Sequence, residues 1–173
     1  MNGTTAGIEA FVSDDNHYPA ILKLFDGAKA GRILDVPSGA GAFALELVKR
    51  GYNDIDCLDL HAENWRLEAP GVRFLLHDVR QELPFPDQTF DYVFCIEGLE
   101  HFDNPFTFVA ELCRVLKPGG RVILTTPNTM SVDARLKFLI SGYLPRFRPL
   151  MKEPDRVVQQ SEVHAHVSPI YFW

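Results

Sequence analysis

The chain has no hydrophobic run approaching the ~18 residues needed to cross a bilayer. Its opening, MNGTTAGIEAFVSDD, has neither a basic region nor an apolar stretch. A membrane span and a secretory signal peptide are therefore not expected. Positive charge is in deficit: 17 Lys and Arg stand against 23 Asp and Glu, a formal net charge of −6. Gripping nucleic acid without sequence preference needs a basic face toward the phosphates, so DNA is not an expected partner. Cysteine is scarce. Cys57, Cys95 and Cys113 form no C-x-x-C pair and show no metal-ligand spacing. A disulfide framework and a zinc ribbon are excluded, and three buried, reduced thiols in a cytoplasmic protein are expected. Internal repeats and low-complexity tracts are missing too, which excludes a solenoid or a disordered linker.

What remains is an ordinary globular balance, 46% hydrophobic and 23% charged over 173 residues. That is enough for one domain with a substantial core. We expect a single domain over 1–173, with its core at about 15–130 and a variable segment at 131–173. Helical spacing in YPAILKLFDGA puts Ile21, Leu22, Leu24 and Phe25 on one face. GRILDV, DIDCLDL, GVRFLLHDV, FDYVFCIEGL and GRVILTTP are strands. A helix at 42–50 turns Phe43, Leu47 and Ala44 or Val48 toward them and ends at Gly51. A second helix is capped by Asn104, carries Pro105 in its first turn and stops at Pro118-Gly119-Gly120. Phe102, Phe106 and Phe108 pack it against the sheet. A third, SVDARLKFLISGYL, is capped by Ser131. Strands apolar on both faces, alternating with helices, predict an α/β, Rossmann-like doubly wound, mostly parallel sheet with helices on both faces.

In such a sheet, ligands bind at the carboxyl ends of the strands, where the first and fourth adjoin. Past the first strand come Asp35, Pro37, Ser38, Gly39 and Gly41. Asp59 ends the second, Asp78 the third, and Glu97, Glu100 and His101 follow the fourth. Gly39, Gly41 and Ala44 fit the G-x-G-x-x-G/A pattern of dinucleotide sites, the basis of a nicotinamide-dependent oxidoreductase reading. A pyrophosphate is anionic and wants bare backbone N–H groups at a helix N-terminus. An aspartate immediately before the glycines would repel it, whereas the same aspartate suits an ammonium group. Asp59 stands where a carboxylate meets ribose hydroxyls, and Asp78 can accept from an exocyclic amine. The ligand so outlined carries an ammonium, a ribose and an adenine but no phosphate, which describes S-adenosylmethionine.

The stretches ILDVPSGAGAFALEL, DIDCLDL, FLLHDVRQELPFPDQTFDYVFCIEGLEHFDNP and LCRVLKPGGRVILTTPN, in this order and spacing, resemble the class I S-adenosylmethionine-dependent methyltransferases. The resemblance runs from about residue 15 to 130. LPFPDQTFD, EGLEHFDNP and LKPGG look like the small-molecule branch, which includes the ubiquinone-biosynthesis O-methyltransferases. It implies that Asp35 and the turn Pro37, Ser38, Gly39 and Gly41 contact the methionine part. Asp59 and Leu60 would meet the ribose, Asp78 and the Val79 backbone the adenine, and Glu97 would lie near the sulfonium. Pro37 departs from the family's D-x-G-x-G-x-G pattern, standing where it has its first glycine.

The expected activity is methyl transfer to oxygen or nitrogen of a small molecule. His101 is the candidate base for a hydroxyl acceptor, since imidazole titrates near neutral pH. Glu97, Glu100 and His101, with His164 or His166, also match a divalent-metal pattern of some RNA 2′-O-methyltransferases. The metal is not favoured here, because Glu97 lining the cofactor and Glu100 with His101 starting the helix explain the same residues. A binding module without turnover is a further alternative. Arg146, Arg148 and Lys152 fall in a polar, proline-punctuated stretch expected to loop over the carboxyl edge. The apolar ending SPIYFW reads as a cut end, leaving the domain without the family's C-terminal antiparallel hairpin. The exposed sheet edge would then offer a route to a homo-oligomer.

Overall fold

The computed structural model describes residues 17–25 and 31–142. The described chain runs α1 (Tyr18–Phe25), β1 (Ile33–Asp35), α2 (Ala42–Lys49), β2 (Ile55–Asp59), β3 (Val72–Leu76), β4 (Phe90–Cys95), α3 (Pro105–Val115), β5 (Leu116–Leu124) and α4 (Val132–Ser141). The strands form one parallel sheet in the order β3-β2-β1-β4-β5. The order reverses between β1 and β4, opening the crevice of a doubly wound sheet at their carboxyl ends. Among the described residues no helix is long and apolar enough to cross a membrane.

The period of two along each strand sorts the core into two layers. Ile33 lies level with Ile55 and Tyr92, and Asp35 with Cys57 and Phe94. That face packs Ile21, Leu22 and Phe25 of α1 and Phe43, Ala44 and Leu47 of α2. The other face carries Leu34, Leu58, Val93 and Cys95 beneath Phe108, Leu112 and Val115 of α3. Asp35 therefore sits on the α2 side, directly under the N-terminus of that helix.

Several expectations are corrected. Leu24 is 73% exposed, because at 3.6 residues per turn the buried stripe is 18-21-22-25 and Leu24 falls off it. β3 is not covered on both faces: Leu75 and Leu76 are exposed, since the link to β4 contains no helix to lie over them. On that bare face Asp56 and Arg73 are cross-strand neighbours. Asp56 accepts from Arg32 Nε at 2.8 Å and from Arg73 Nε at 2.6 Å. Burial works against the Asp56 charge, but the hydrogen bonds from Arg73 and Arg32 outweigh it and hold the carboxyl below its usual range. An ion cluster thus stands where a helix would otherwise pack.

α3 ends at Val115, earlier than Pro118-Gly119-Gly120. Lys117 precedes a proline, which disfavours helical backbone there. The N–H groups of Gln88 and Thr89 satisfy the last carbonyls, of Arg114 and Val115, at 2.9 and 2.8 Å. Phe90 pairs with Leu116 and Tyr92 with Arg121, so residues 117–120 bulge out of β5. Cys57 and Cys95 are buried, but Cys113 is exposed on the outer side of α3. Phe102 and Phe108 stack at 4.0 Å inside the core, whereas Phe106 is exposed. The expected caps form: Asn104 accepts from the Thr107 N–H and Ser131 from the Ala134 N–H.

Candidate functional site

The crevice is built from the strand ends, and its tightest part is the turn between β1 and α2. There the backbone is largely engaged. Val36 N–H donates to the Phe94 carbonyl, Ser38 N–H to Leu58, and Gly41 N–H to Ser38. Gly39 N–H donates to Asp59 Oδ2 at 2.8 Å. Pro37 has no N–H to give, so a proline here removes no donor from the site. Its ring is received across the crevice by Gly98, where a Cβ would lie 2.4 Å from Pro37 Cδ. Gly41 takes φ +86° and backs onto Trp65 and Leu67, where a Cβ would lie 2.9 and 2.8 Å from their side chains. Gly39 faces the other way, with nothing within 4 Å of an added Cβ. The outer surface of the turn is open there.

Asp35 is 2% exposed, and its Oδ2 has no hydrogen-bond partner among the described residues. Burial first, and then the nearby Asp59 carboxylate, push its pKa up to about 8. The hydroxyls of Ser38 and Thr126 are likewise buried without partners. A buried polar atom left unbonded is costly. Asp35 and Ser38, on either side of Pro37, thus each keep an unbonded oxygen at the turn, as expected of a place that receives a polar ligand. An ammonium or other N–H group satisfies Asp35; a pyrophosphate does not. On this chemistry the residues fit S-adenosylmethionine.

Asp59 is nearly buried and accepts from Gly39 N–H and, at 2.9 Å, from His61 N–H. Each carboxylate oxygen keeps a lone pair, so Asp59 can still accept from ligand hydroxyls. Leu60, beside it, is 42% exposed and offers an apolar ledge. Asp78 is occupied differently from expectation. Arg80 grips it with two hydrogen bonds of 2.8 Å, holding its carboxyl down at about 2. The Val79 side chain is buried in the α3-side core, so only its backbone can face a ligand.

Past β4, Glu97 takes a left-handed φ of +50° and its N–H donates to Thr125 Oγ1 at 2.9 Å, tying the ends of β4 and β5 together. Left-handed backbone at a residue other than glycine concentrates at functional sites. A 3-10 turn follows at Leu99–His101, with Glu100 wholly buried and His101 half-buried. Among the described residues no group of three or more His, Cys, Asp or Glu is placed to hold a metal. His164 and His166, like Arg146, Arg148 and Lys152, lie outside the described residues.

Sequence reasoning passed over two residues of this region. Trp65 stacks on Phe74 at 4.5 Å and walls the glycine turn. Tyr18 stands at the rim end of α1, its ring edge-on to Phe43 at 5.2 Å. Extending the helical stripe of α1 one turn toward its N-terminus would have found Tyr18.

A family profile described as a methyltransferase domain matches residues 34–124, more than half of the chain, from within β1 to the end of β5. The chain belongs to the methyltransferase-domain family. This is the class I, S-adenosylmethionine-dependent family to which its motifs pointed. The domain is 34% identical over 156 residues to a demethylmenaquinone methyltransferase of Deinococcus radiodurans, covering 74% of this chain and 64% of that protein. It is 32% identical over 134 residues to a ubiquinone biosynthesis O-methyltransferase of Rickettsia canadensis, covering 75% and 53%. The methyltransferase domain thus spans between about half and two thirds of the length of these curated relatives. Its fold is shared with an S-adenosylmethionine-dependent methyltransferase from Aquifex aeolicus (TM-score 0.61, 23% identity, 74% of this chain and 75% of that one).

Proposed function

We propose that this methyltransferase domain binds S-adenosylmethionine in the β1–β4 crevice and transfers its methyl group to a small-molecule acceptor. One observation carries the reading. A buried carboxyl with an unbonded oxygen, Asp35, precedes a glycine turn in which the Val36, Ser38, Gly39 and Gly41 amides are engaged within the protein. An unbonded carboxyl in that position suits a cation better than an anionic pyrophosphate, which argues against the nicotinamide alternative.

When bound, S-adenosylmethionine supplies an electrophilic methyl carbon for in-line displacement, so the protein's task is mostly positioning. Asp35 holds the ammonium end, and Asp59 accepts from the ribose hydroxyls while its two backbone bonds keep it fixed. Asp78 reaches the adenine side only as Arg80 permits, and the Val79 backbone lies beside it. Glu97 lines the crevice from β4, set by its bond to Thr125. For a hydroxyl acceptor, His101 takes the proton. The relatives are named for demethylmenaquinone and for ubiquinone biosynthesis, so quinone-type acceptors are the first to assay.

Calorimetry with S-adenosylhomocysteine and with NAD tests the reading directly. Binding of the former alone is the expected result, and binding of NAD alone overturns it. Incubation with S-adenosylmethionine and reduced, demethylated quinones should yield a product heavier by one methylene. His101→Ala should slow methylation of a hydroxyl by about 10²-fold or more and leave S-adenosylhomocysteine affinity unchanged.

A further inference from the structure

The chain turns sharply where β4 ends. Glu97 takes φ +50°, a left-handed backbone that only glycine adopts without cost, and Gly98 follows at once. Neighbours on three strands hold this turn. From β5, Thr125 Oγ1 accepts the Glu97 N–H at 2.9 Å. The Thr125 N–H in turn donates to the Cys95 carbonyl at 3.0 Å, carrying the ladder one residue past Leu124. From β4 itself, the Cys95 thiol is hydrogen-bonded to the Gly98 backbone. From the β1 side, the Pro37 ring closes on Gly98.

A strained residue held in this way is a mount for its side chain. The Glu97 carboxyl acts electrostatically on the Tyr18 phenol and on the Cys95 thiol, and Asp35 acts on the same two groups. The two carboxyls therefore serve one region of the crevice, Asp35 from β1 and Glu97 from β4. S-adenosylmethionine has two cationic groups, an ammonium and a sulfonium. When the methyl leaves, the C–S electron pair stays on sulfur, and the product keeps only the ammonium. Asp35 takes the ammonium and Asp59 is turned to hydroxyls, so the second cation falls to Glu97. A carboxylate fixed there attracts the cofactor more than the product. Among the contacts that hold the turn, the bond to Thr125 is the one that grips Glu97 itself, and it depends on a single side-chain oxygen.

We propose that Thr125 is a positioning residue of this site: its hydroxyl fixes the strained Glu97 backbone and so aims the carboxylate at the positive charge that distinguishes S-adenosylmethionine from S-adenosylhomocysteine. The proposal rests on the reading of the crevice as an S-adenosylmethionine site and names what lets that site prefer cofactor to product.

The test is calorimetry of both nucleosides on the full 173-residue chain. The quantity read is the ratio of the two affinities, which a general loosening of the fold leaves unchanged. Wild type should prefer S-adenosylmethionine. Thr125→Val keeps the shape and removes the hydroxyl, and should cut that preference about threefold; Glu97→Gln should cut it about fivefold. Thr125→Ser restores the hydroxyl and should return the ratio to the wild-type value. In the double variant Thr125→Val, Glu97→Gln the ratio should equal that of Glu97→Gln alone, because nothing charged is left to position. An unchanged ratio in either single variant overturns the proposal. So does a loss in Thr125→Ser as deep as in Thr125→Val, or losses that add in the double variant. In each of those cases wild-type binding leaves the site assignment standing. A wild-type chain that binds the two nucleosides equally overturns the proposal alone, and one that binds neither overturns both.

Discussion

Asp35 is the residue at which stability and binding pull in opposite directions. Its folded pKa of about 8 lies above the ordinary 3.8. Between these values the folded chain holds a proton that the unfolded chain has released. Stability from this group is thus complete below about pH 4 and is lost as pH rises through about 8. Asparagine does not titrate. Ligand-free Asp35→Asn and wild type should therefore melt at similar temperatures near pH 4 and diverge as pH rises. By pH 9 the variant should be higher by several degrees, at roughly 2–4 °C per kcal/mol for a chain of this size. Parallel melting curves across that range would refute a protonated, buried Asp35. A cation seated on the carboxyl must draw the pKa back down, so binding should expel a proton. Calorimetry of S-adenosylhomocysteine in two buffers of different ionisation enthalpy reads that proton. Asp35 was legible in the sequence because a strand-end acid before glycines announces itself locally. The engagement of Asp78 by Arg80 was less so: the two are near neighbours in the chain, but only a specific turn brings the guanidinium round.

The link from β3 to β4 has no helix of its own, and α3 supplies what holds it. Arg114 donates to the carbonyls of Phe85 and Leu83 at 2.8 and 3.0 Å and to Asp87 at 2.9 Å. Glu111, paired with Arg114, accepts from the Leu83 N–H at 3.0 Å. One ion pair on α3 thereby fastens three residues of the link, Leu83, Phe85 and Asp87, and its side chains are mostly shielded from solvent. Isolated surface pairs are worth ~0–1 kcal/mol, but removing this arginine takes the donor from the Phe85 carbonyl and the counter-charge from Glu111 at once. Arg114→Leu should cost about 2–4 kcal/mol in urea unfolding. Arg114→Lys, lacking the planar fork, should recover less than half of that loss. Asn104→Ala, at the other end of α3, should cost only ~1 kcal/mol. Equal costs for the two ends would mean that the link is not held from α3. The Asn104 and Ser131 caps were readable because a cap is decided within four residues. The end of α3 was not, because the Gln88 and Thr89 amides and the bulge at 117–120 are set by pairing with β4, remote in the chain.

At the scale of the molecule, the alternation of strands and helices was enough to predict the doubly wound sheet and the crevice between β1 and β4. It misjudged the rim of the sheet, where Leu75 and Leu76 lie open and an Arg32–Asp56–Arg73 cluster takes the place of a helix. Hydrophobic runs report that a segment can be buried, not whether another segment arrives to bury it. The charge distribution has a consequence for binding. The chain carries a net −6, and Asp35, Asp59, Asp78 and Glu97 all arise at the carboxyl ends of strands on one edge. Field lines from such an edge draw in cations. S-adenosylmethionine and S-adenosylhomocysteine differ at the sulfur by one positive charge, so only the former should feel this field in full. Raising salt from ~0.1 to 1 M shortens the screening length from about 10 to 3 Å. S-adenosylmethionine affinity should then fall roughly threefold, the loss of ~0.7 kcal/mol of attraction at intermediate dielectric. S-adenosylhomocysteine affinity should change by less than half as much. Identical salt responses of the two ligands, measured by calorimetry on the same preparation, would show that the acids of the rim do not act on the sulfonium.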